Sequence, residues 1–146
     1  MILRLVPPET FDNPVALRHA RAALAADPGY AAWSVRAMLL KPTLVMVGHI
    51  RFHSRPDAEY LHPFAREAVE FGYEVFDAHR RQGYATEAAL GAMGWAKGRD
   101  GVKRFLATVA PDNVPSIAMM KRLGFHKIGE HIDAEDGLEH VFVREA

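Results

Sequence analysis

The 146-residue chain has no cysteine. That excludes disulfides, thiolate metal ligation and thiol nucleophiles. It has no excess of either charge: Lys plus Arg and Asp plus Glu each number 18, for a formal net charge of +0 with histidine neutral. Such a balance gives no support for general nucleic-acid binding, so no nucleic-acid partner is expected, while a local basic site stays open. No apolar stretch approaches the roughly 18 residues of a membrane span, so no membrane association is expected. The opening MILRLVPPET lacks a basic region followed by a long apolar core, so it does not read as a signal peptide and a cytoplasmic location is the expectation. Internal repeats and low-complexity tracts are missing. So are G-x-G-x-x-G and Gly-Lys-Ser/Thr, which rules out Rossmann and P-loop nucleotide sites.

What the chain does have is an apolar fraction of 49% over a length near that of an ordinary domain. Both point to a single domain over residues 1–146 with a sizeable core. Residues 2–6 read as a strand ended by Pro7-Pro8. Asn13 before Pro14 reads as a helix cap and first helical residue, with the helix stopping near Asp27-Pro28-Gly29. Residues 33–40 and 43–53 read as a hairpin turned at Lys41-Pro42. Residues 54–63, with two prolines, read as a surface loop, and residues 68–76 as a third strand. Over residues 83–97, Ala85, Ala88, Ala89, Ala92, Met93 and Ala96 fall on one helical face, small enough to lie close to a sheet. Residues 104–109 read as a strand. Asn113 caps a helix that tolerates Pro115 in its first turn and stops at Gly124. Residues 125–132 and 138–143 close the chain as a strand pair around Asp136-Gly137. This order predicts an α/β (α+β) fold, a mixed sheet flanked by helices.

The segment GYEVFDAHRRQGYATEA, residues 72–88, feeds a strand through a short basic loop into a helix. Arg80, Gly83 and Ala85 form R-x-x-G-x-A. A helix N-terminus offers unpaired N–H groups and partial positive charge to an anion. Gly83 permits positive φ and close approach, Ala85 keeps the backbone accessible, and Arg80 and Arg81 add charge at the mouth. A routine strand-to-helix turn would use the same glycine for geometry alone. A second segment, ATVAPDNVPSIAMMKRLGFHKIGE, residues 107–130, places N-x-x-S at Asn113 and Ser116, then L-G-F at residues 123–125.

Together the two segments resemble the GNAT acetyltransferase superfamily, and G-Y-x-V-x-x-x-x-R-x-x-G-Y-A-T-E-A looks like its branch of ribosomal-protein N-terminal acetyltransferases. The resemblance covers residues 33–143. It implies a mostly antiparallel twisted sheet with acetyl-CoA bound at a splay between central strands, and a homodimer as the assembly. It implies that backbone at Val75 and Phe76 bonds the pantetheine, that Arg81, Gln82, Gly83, Tyr84, Ala85 and Thr86 wrap the pyrophosphate, and that Asn113 reaches the cofactor. Asn113 also suits a plain helix cap. Residues 1–32 are a shorter approach to the hairpin than family members usually carry. That region often walls the acceptor site, so the acceptor stays a small-molecule amine or a protein N-terminus.

Amine acetylation requires the acceptor to lose a proton, the carbonyl to be polarised and the thiolate to leave. For the base, Glu70 and Glu74 share a strand face with Gly72 and Phe76. In the family a carboxylate at the position of Glu70 acts directly or through water, and a solvated strand glutamate is the plain alternative. Glu87 lies past the phosphate loop. Many family members use a tyrosine in the last helix as the acid. Here residues 117–120 hold none, and Ser116 is the nearest polar group, as a donor to sulfur or as a capping serine. No metal site is expected. His49 and His53 stand about 13 Å apart on a strand, and His131, Asp133, Glu135 and Asp136 lack the alternation of a calcium loop. His53 and His62 flank the loop before the cofactor strand and are acceptor-site candidates. Acidic Asp57, Glu59, Glu67, Glu70 and Glu74 suit a cationic acceptor. The competing reading is a non-catalytic acyl-CoA-binding or interaction module on the same fold.

Overall fold

The two asparagines read as caps both cap. In the computed structural model, which describes residues 1–10 and 13–146, Asn13 Oδ1 accepts from Ala16 N–H at 3.1 Å and Asn113 Oδ1 from Ser116 N–H at 3.3 Å. Each satisfies a donor left over by the first helical turn. Among the described residues the α-helices are α1 (Pro14–Ala26), α2 (Tyr84–Ala96) and α3 (Val114–Arg122). The strands are β1 (Ile2–Leu5), β2 (Arg36–Leu40), β3 (Val45–Phe52), β4 (Ala68–Val75), β5 (Arg104–Val109), β6 (His126–Asp133) and β7 (Gly137–Glu145). None of the helices is long and apolar enough to cross a membrane.

The strands form one seven-stranded sheet in the order β1-β2-β3-β4-β5-β7-β6. Every pairing is antiparallel except β4 with β5, because those two are joined by the crossover that contains α2. The predicted α/β fold with a mixed, mostly antiparallel sheet is therefore the one observed. Two expectations shift. Residues 33–40 do not all extend: Pro28–Trp33 is a 3₁₀ turn capped by Asp27, whose side chain accepts from Gly29 N–H, and β2 starts at Arg36. The loop over residues 54–63 contains a further 3₁₀ turn at Glu59–Leu61 whose Leu61 is buried.

The chain packs as two compact units. The first comprises Met1–Arg55 and Phe71–Ala96. Its α2 buries Ala88, Ala89, Ala92, Met93 and Ala96, the alanine face read from the sequence, and packs on β1 and β3. Gly91 lies so close to Leu3 that a Cβ there would sit 3.2 Å from its Cδ1. Trp95 closes this unit with Trp33 edge-on at 4.8 Å and Phe52 stacked at 6.0 Å, while the Arg36 guanidinium covers its ring at 4.2 Å, a cation–π contact. The second unit comprises Pro56–Glu70 and Lys97–Ala146. Its core gathers Leu61, Ala68, Leu106, Val141 and Val143, with Phe64 and Ala65 packed against them. β4 is shared in sequence. Ala68, Val69 and Glu70 pair with β5, and residues 71–75 pair with β3.

Candidate active site

In the first unit β4 runs into α2 through a short turn. Phe76 N–H donates to Val47 C=O at 2.8 Å. Alternation along an antiparallel strand then points the Val75 N–H away from β3. Asp77–His79 forms a 3₁₀ turn. Arg81 (φ 65°) and Gly83 (φ 81°) both take left-handed backbone, and the chain reverses into α2. Gly83 C=O accepts from Glu87 N–H at 3.1 Å, which makes Gly83 the cap. The N–H groups of Tyr84, Ala85 and Thr86 are thus the leading donors of the helix, without i−4 partners. A Cβ at Gly83 would meet nothing within 4 Å, so the space beside this cap residue is open. Arg81 and Gln82 are exposed, and Tyr84 Oη donates to Gln82 Oε1 at 3.2 Å.

Arg80 departs from expectation. Its Nε donates to Val75 C=O at 3.0 Å and its Nη2 lies 3.0 Å from Asp77, so it braces the turn and leaves Arg81 as the charge at the mouth. Sequence reading placed both arginines there because no local pattern marks a side-chain bond to a carbonyl five residues back.

The same unit carries a polar stretch on β3 and β4. The register sets His49 opposite Glu74, with Nε2 3.3 Å from Oε2. Asn13 Nδ2 donates to the same oxygen at 3.4 Å. His49 is only 5% exposed. Burial pushes its pKa below the usual histidine range, partly offset by the Glu74 carboxylate. The His53 imidazole lies across Gly72, where a Cβ would come within 2.7 Å of Nε2. The missing side chain at Gly72 is what leaves room for the ring there.

In the second unit Glu70 is 5% exposed. Its Oε1 accepts from the Tyr60 hydroxyl at 2.8 Å and its Oε2 from Thr108 Oγ1 at 2.9 Å. Neither hydroxyl was singled out in the sequence; they stand 10 and 38 residues from Glu70. No local pattern marks such pairs. The loop carrying Tyr60 is tied down by Asp57. That carboxylate accepts from Glu67 N–H at 2.7 Å and lies 3.3 Å from Arg66 Nε. These two donors hold its pKa below the usual carboxylate range. His62 Nε2 sits 3.1 Å from Asp57 Oδ1, so His62 is engaged in the loop's own turn, where the sequence had suggested an acceptor contact.

Across β6 and β7, His131 pairs with Glu139 and Asp133 with Gly137. The ligand atoms of His131, Asp133 and Glu139 lie within 4.8 Å of one another. Burial, then the charges of Asp133, Asp136 and Glu70, push the Glu139 pKa up. On α3, the capping bond from Ser116 N–H occupies Asn113 Oδ1, and Ser116 is half-buried. Met119 and Met120 fill the inner face. The structure thus brings residues 81–86 together beside Val75 and Phe76. It joins Glu70 to two unforeseen hydroxyls, and it seats Asn113 and Ser116 in one helical turn.

A family model described as an acetyltransferase (GNAT) domain matches residues 4–126. The uncharacterised N-acetyltransferase YjdG of Bacillus subtilis (strain 168) is 31% identical over 106 residues, 70% of this chain and 57% of that protein's length. The ribosomal-protein-S5-alanine acetyltransferase of Vibrio fischeri superposes with a TM-score of 0.68 at 16% identity, over 92% of this chain and 76% of the other. The microcin C7 self-immunity acetyltransferase MccE, solved with acetyl-CoA and AMP, gives 0.63 at 16% identity, over 89% and 68% of the two chains.

Proposed function

This chain belongs to the GNAT acetyltransferase family, and we propose that it moves an acetyl group from acetyl-CoA to a primary amine. The acceptor is a small molecule or a protein N-terminus, and its nitrogen attacks the thioester directly. The observation that carries this reading is the turn from β4 into α2. Two left-handed residues, Arg81 and Gly83, deliver the chain to a helix start capped by a glycine with open space beside it, and a helix N-terminus with unpaired N–H groups suits a phosphate. Acetyl-CoA fits that cradle and would supply the activated acyl group and a thiolate that departs with little help.

Arg81 and Gln82, with the N–H groups of Gly83, Tyr84, Ala85 and Thr86, bind the pyrophosphate. The Val75 N–H, turned away from β3, bonds the pantetheine. Phe76, whose own N–H is taken by Val47, contributes its ring and position. Asn113 combines its cap with contact to the cofactor. Glu70 accepts the amine's proton, and Ser116 donates to sulfur. The V. fischeri neighbour acts on a protein alanine, which favours an α-amino acceptor, a group that loses its proton at about 8.

The test is thiol release from acetyl-CoA across a panel of small amines and free-amino-terminal peptides. Glu70→Gln should lower turnover on the order of a hundredfold if general-base catalysis makes its usual contribution, with CoA affinity unchanged. The deficit should shrink as pH rises and the amine becomes neutral unaided. Wild-type turnover in Glu70→Gln would refute the base, and a loss confined to Glu74→Gln would move the role there. Tight CoA binding with no turnover on any amine would assign the chain to the non-catalytic binding modules.

A further inference from the structure

We propose that Tyr60 is the group the acceptor amine meets, and that Glu70 takes the amine's proton through the Tyr60 hydroxyl. The inference rests on the acetyl-transfer reading above and specifies the residue that touches the acceptor. Glu70 is 5% exposed and Tyr60 is 51% exposed, with the phenol oxygen 2.8 Å from Oε1. A carboxylate sealed in this way does not reach a substrate nitrogen. A phenol serves both sides at once, because it donates its proton inward and offers a lone pair outward.

The loop holds the hydroxyl in place. Leu61, the next residue, is 3% exposed in the core with Ala68, Leu106, Val141 and Val143. Asp57 N–H donates to Ala68 C=O at 2.8 Å, which pins the loop to the start of β4. Thr108 takes the second carboxylate oxygen, so rotation of Glu70 cannot carry Oε1 away from the phenol without breaking that bond. On β7, Glu139 is an acidic group whose charge interacts with that of Glu70. Negative potential there favours proton arrival from a cationic acceptor.

The step balances. An N–H bond of the ammonium breaks and a bond from that proton to the Tyr60 oxygen forms. The phenol's original O–H bond breaks and its proton joins Oε1 of Glu70. Tyr60 ends neutral, Glu70 ends protonated, and the nitrogen keeps the electron pair with which it attacks the thioester carbon. The C–S bond breaks with its pair on sulfur. The proton on Glu70 then leaves by the same path.

The experiment compares wild type, Tyr60→Phe, Glu70→Gln and the double variant, with alaninamide as the acceptor and thiol release as the readout. At pH 7 Tyr60→Phe should lower kcat on the order of a hundredfold, with KM for alaninamide and CoA affinity within threefold of wild type. The double variant should be no slower than the slower single one, since both substitutions break one relay. The Tyr60→Phe deficit should shrink as pH approaches the amine's pKa, whereas a purely structural loss would not depend on pH. Turnover in Tyr60→Phe equal to or above wild type would show that the ring only covers Glu70 and overturn the proposal, as would multiplied losses in the double variant. No thiol release by wild type itself would overturn the underlying acetyl-transfer reading instead.

Discussion

Gly83→Val separates cofactor binding from folding. Gly83 sits at φ 81° with nothing within 4 Å of a built Cβ, so valine meets strain without a clash. Left-handed backbone costs an L residue about 1–2 kcal/mol, more for a β-branched one. For a chain of this length about 2 kcal/mol lowers Tm by roughly 4–8 °C. That strain is present with and without ligand and so cancels from the binding equilibrium. What remains is steric: two methyl groups stand where phosphate oxygens would approach the N–H groups of Tyr84, Ala85 and Thr86. Affinity for CoA should fall at least tenfold, about 1.4 kcal/mol. Gly98 supplies the control. It has φ 87°, is equally open, and lies two residues beyond the end of α2. Gly98→Val should lose similar Tm and keep CoA affinity. Titration calorimetry with CoA and a thermal melt on each variant decide the matter. Equal CoA affinity in Gly83→Val and wild type would refute the phosphate cradle. Equal losses in both variants would show the effect to be global.

Two further outcomes follow from burial. His49, faced by Glu74 and Arg51, has its pKa lowered by desolvation. The unfolded chain therefore binds the proton first, near 6.5, and stability should be full above that pH and decline as pH falls below it, by at most about 1.4 kcal/mol per pH unit from this group. Urea unfolding at several pH values should show a shallower acid decline in His49→Gln, and an unchanged slope would sink the assignment. Leu106, fully buried against Leu61, Ala68, Val141 and Val143, should cost about 2–5 kcal/mol as Leu106→Ala. A loss under about 1 kcal/mol in denaturant unfolding would mean that this cluster is not densely packed.

Local chemistry made the helices legible. Asn13 before Pro14, Asn113 before Val114-Pro115, and Gly124 after Leu123 are start and stop signals whose physics lies within one turn. The alanine face of α2 and the Gly83 turn belong with them, since both are set by residues a few positions apart. Hairpins and strands followed from alternation. Where the reading slipped, at Trp33, the competing force was tertiary: the indole packs edge-on against Trp95 at 4.8 Å, and the turn that holds it there is 3₁₀.

The sequence by itself determined where the helices start and stop, that a glycine turn precedes α2, and that β4 carries carboxylates at Glu70 and Glu74. Only the tertiary structure decided what those carboxylates touch. The register placed His49 across from Glu74, the β5 ladder brought Thr108 to Glu70, and a loop anchored through Asp57 and Leu61 laid the Tyr60 hydroxyl over the same residue. It also drew His62 into its own turn and bent Arg80 back onto Val75. These partners are distant in the chain or reached across a fold of the backbone. Their choice depends on strand pairing and loop closure, which no periodicity records.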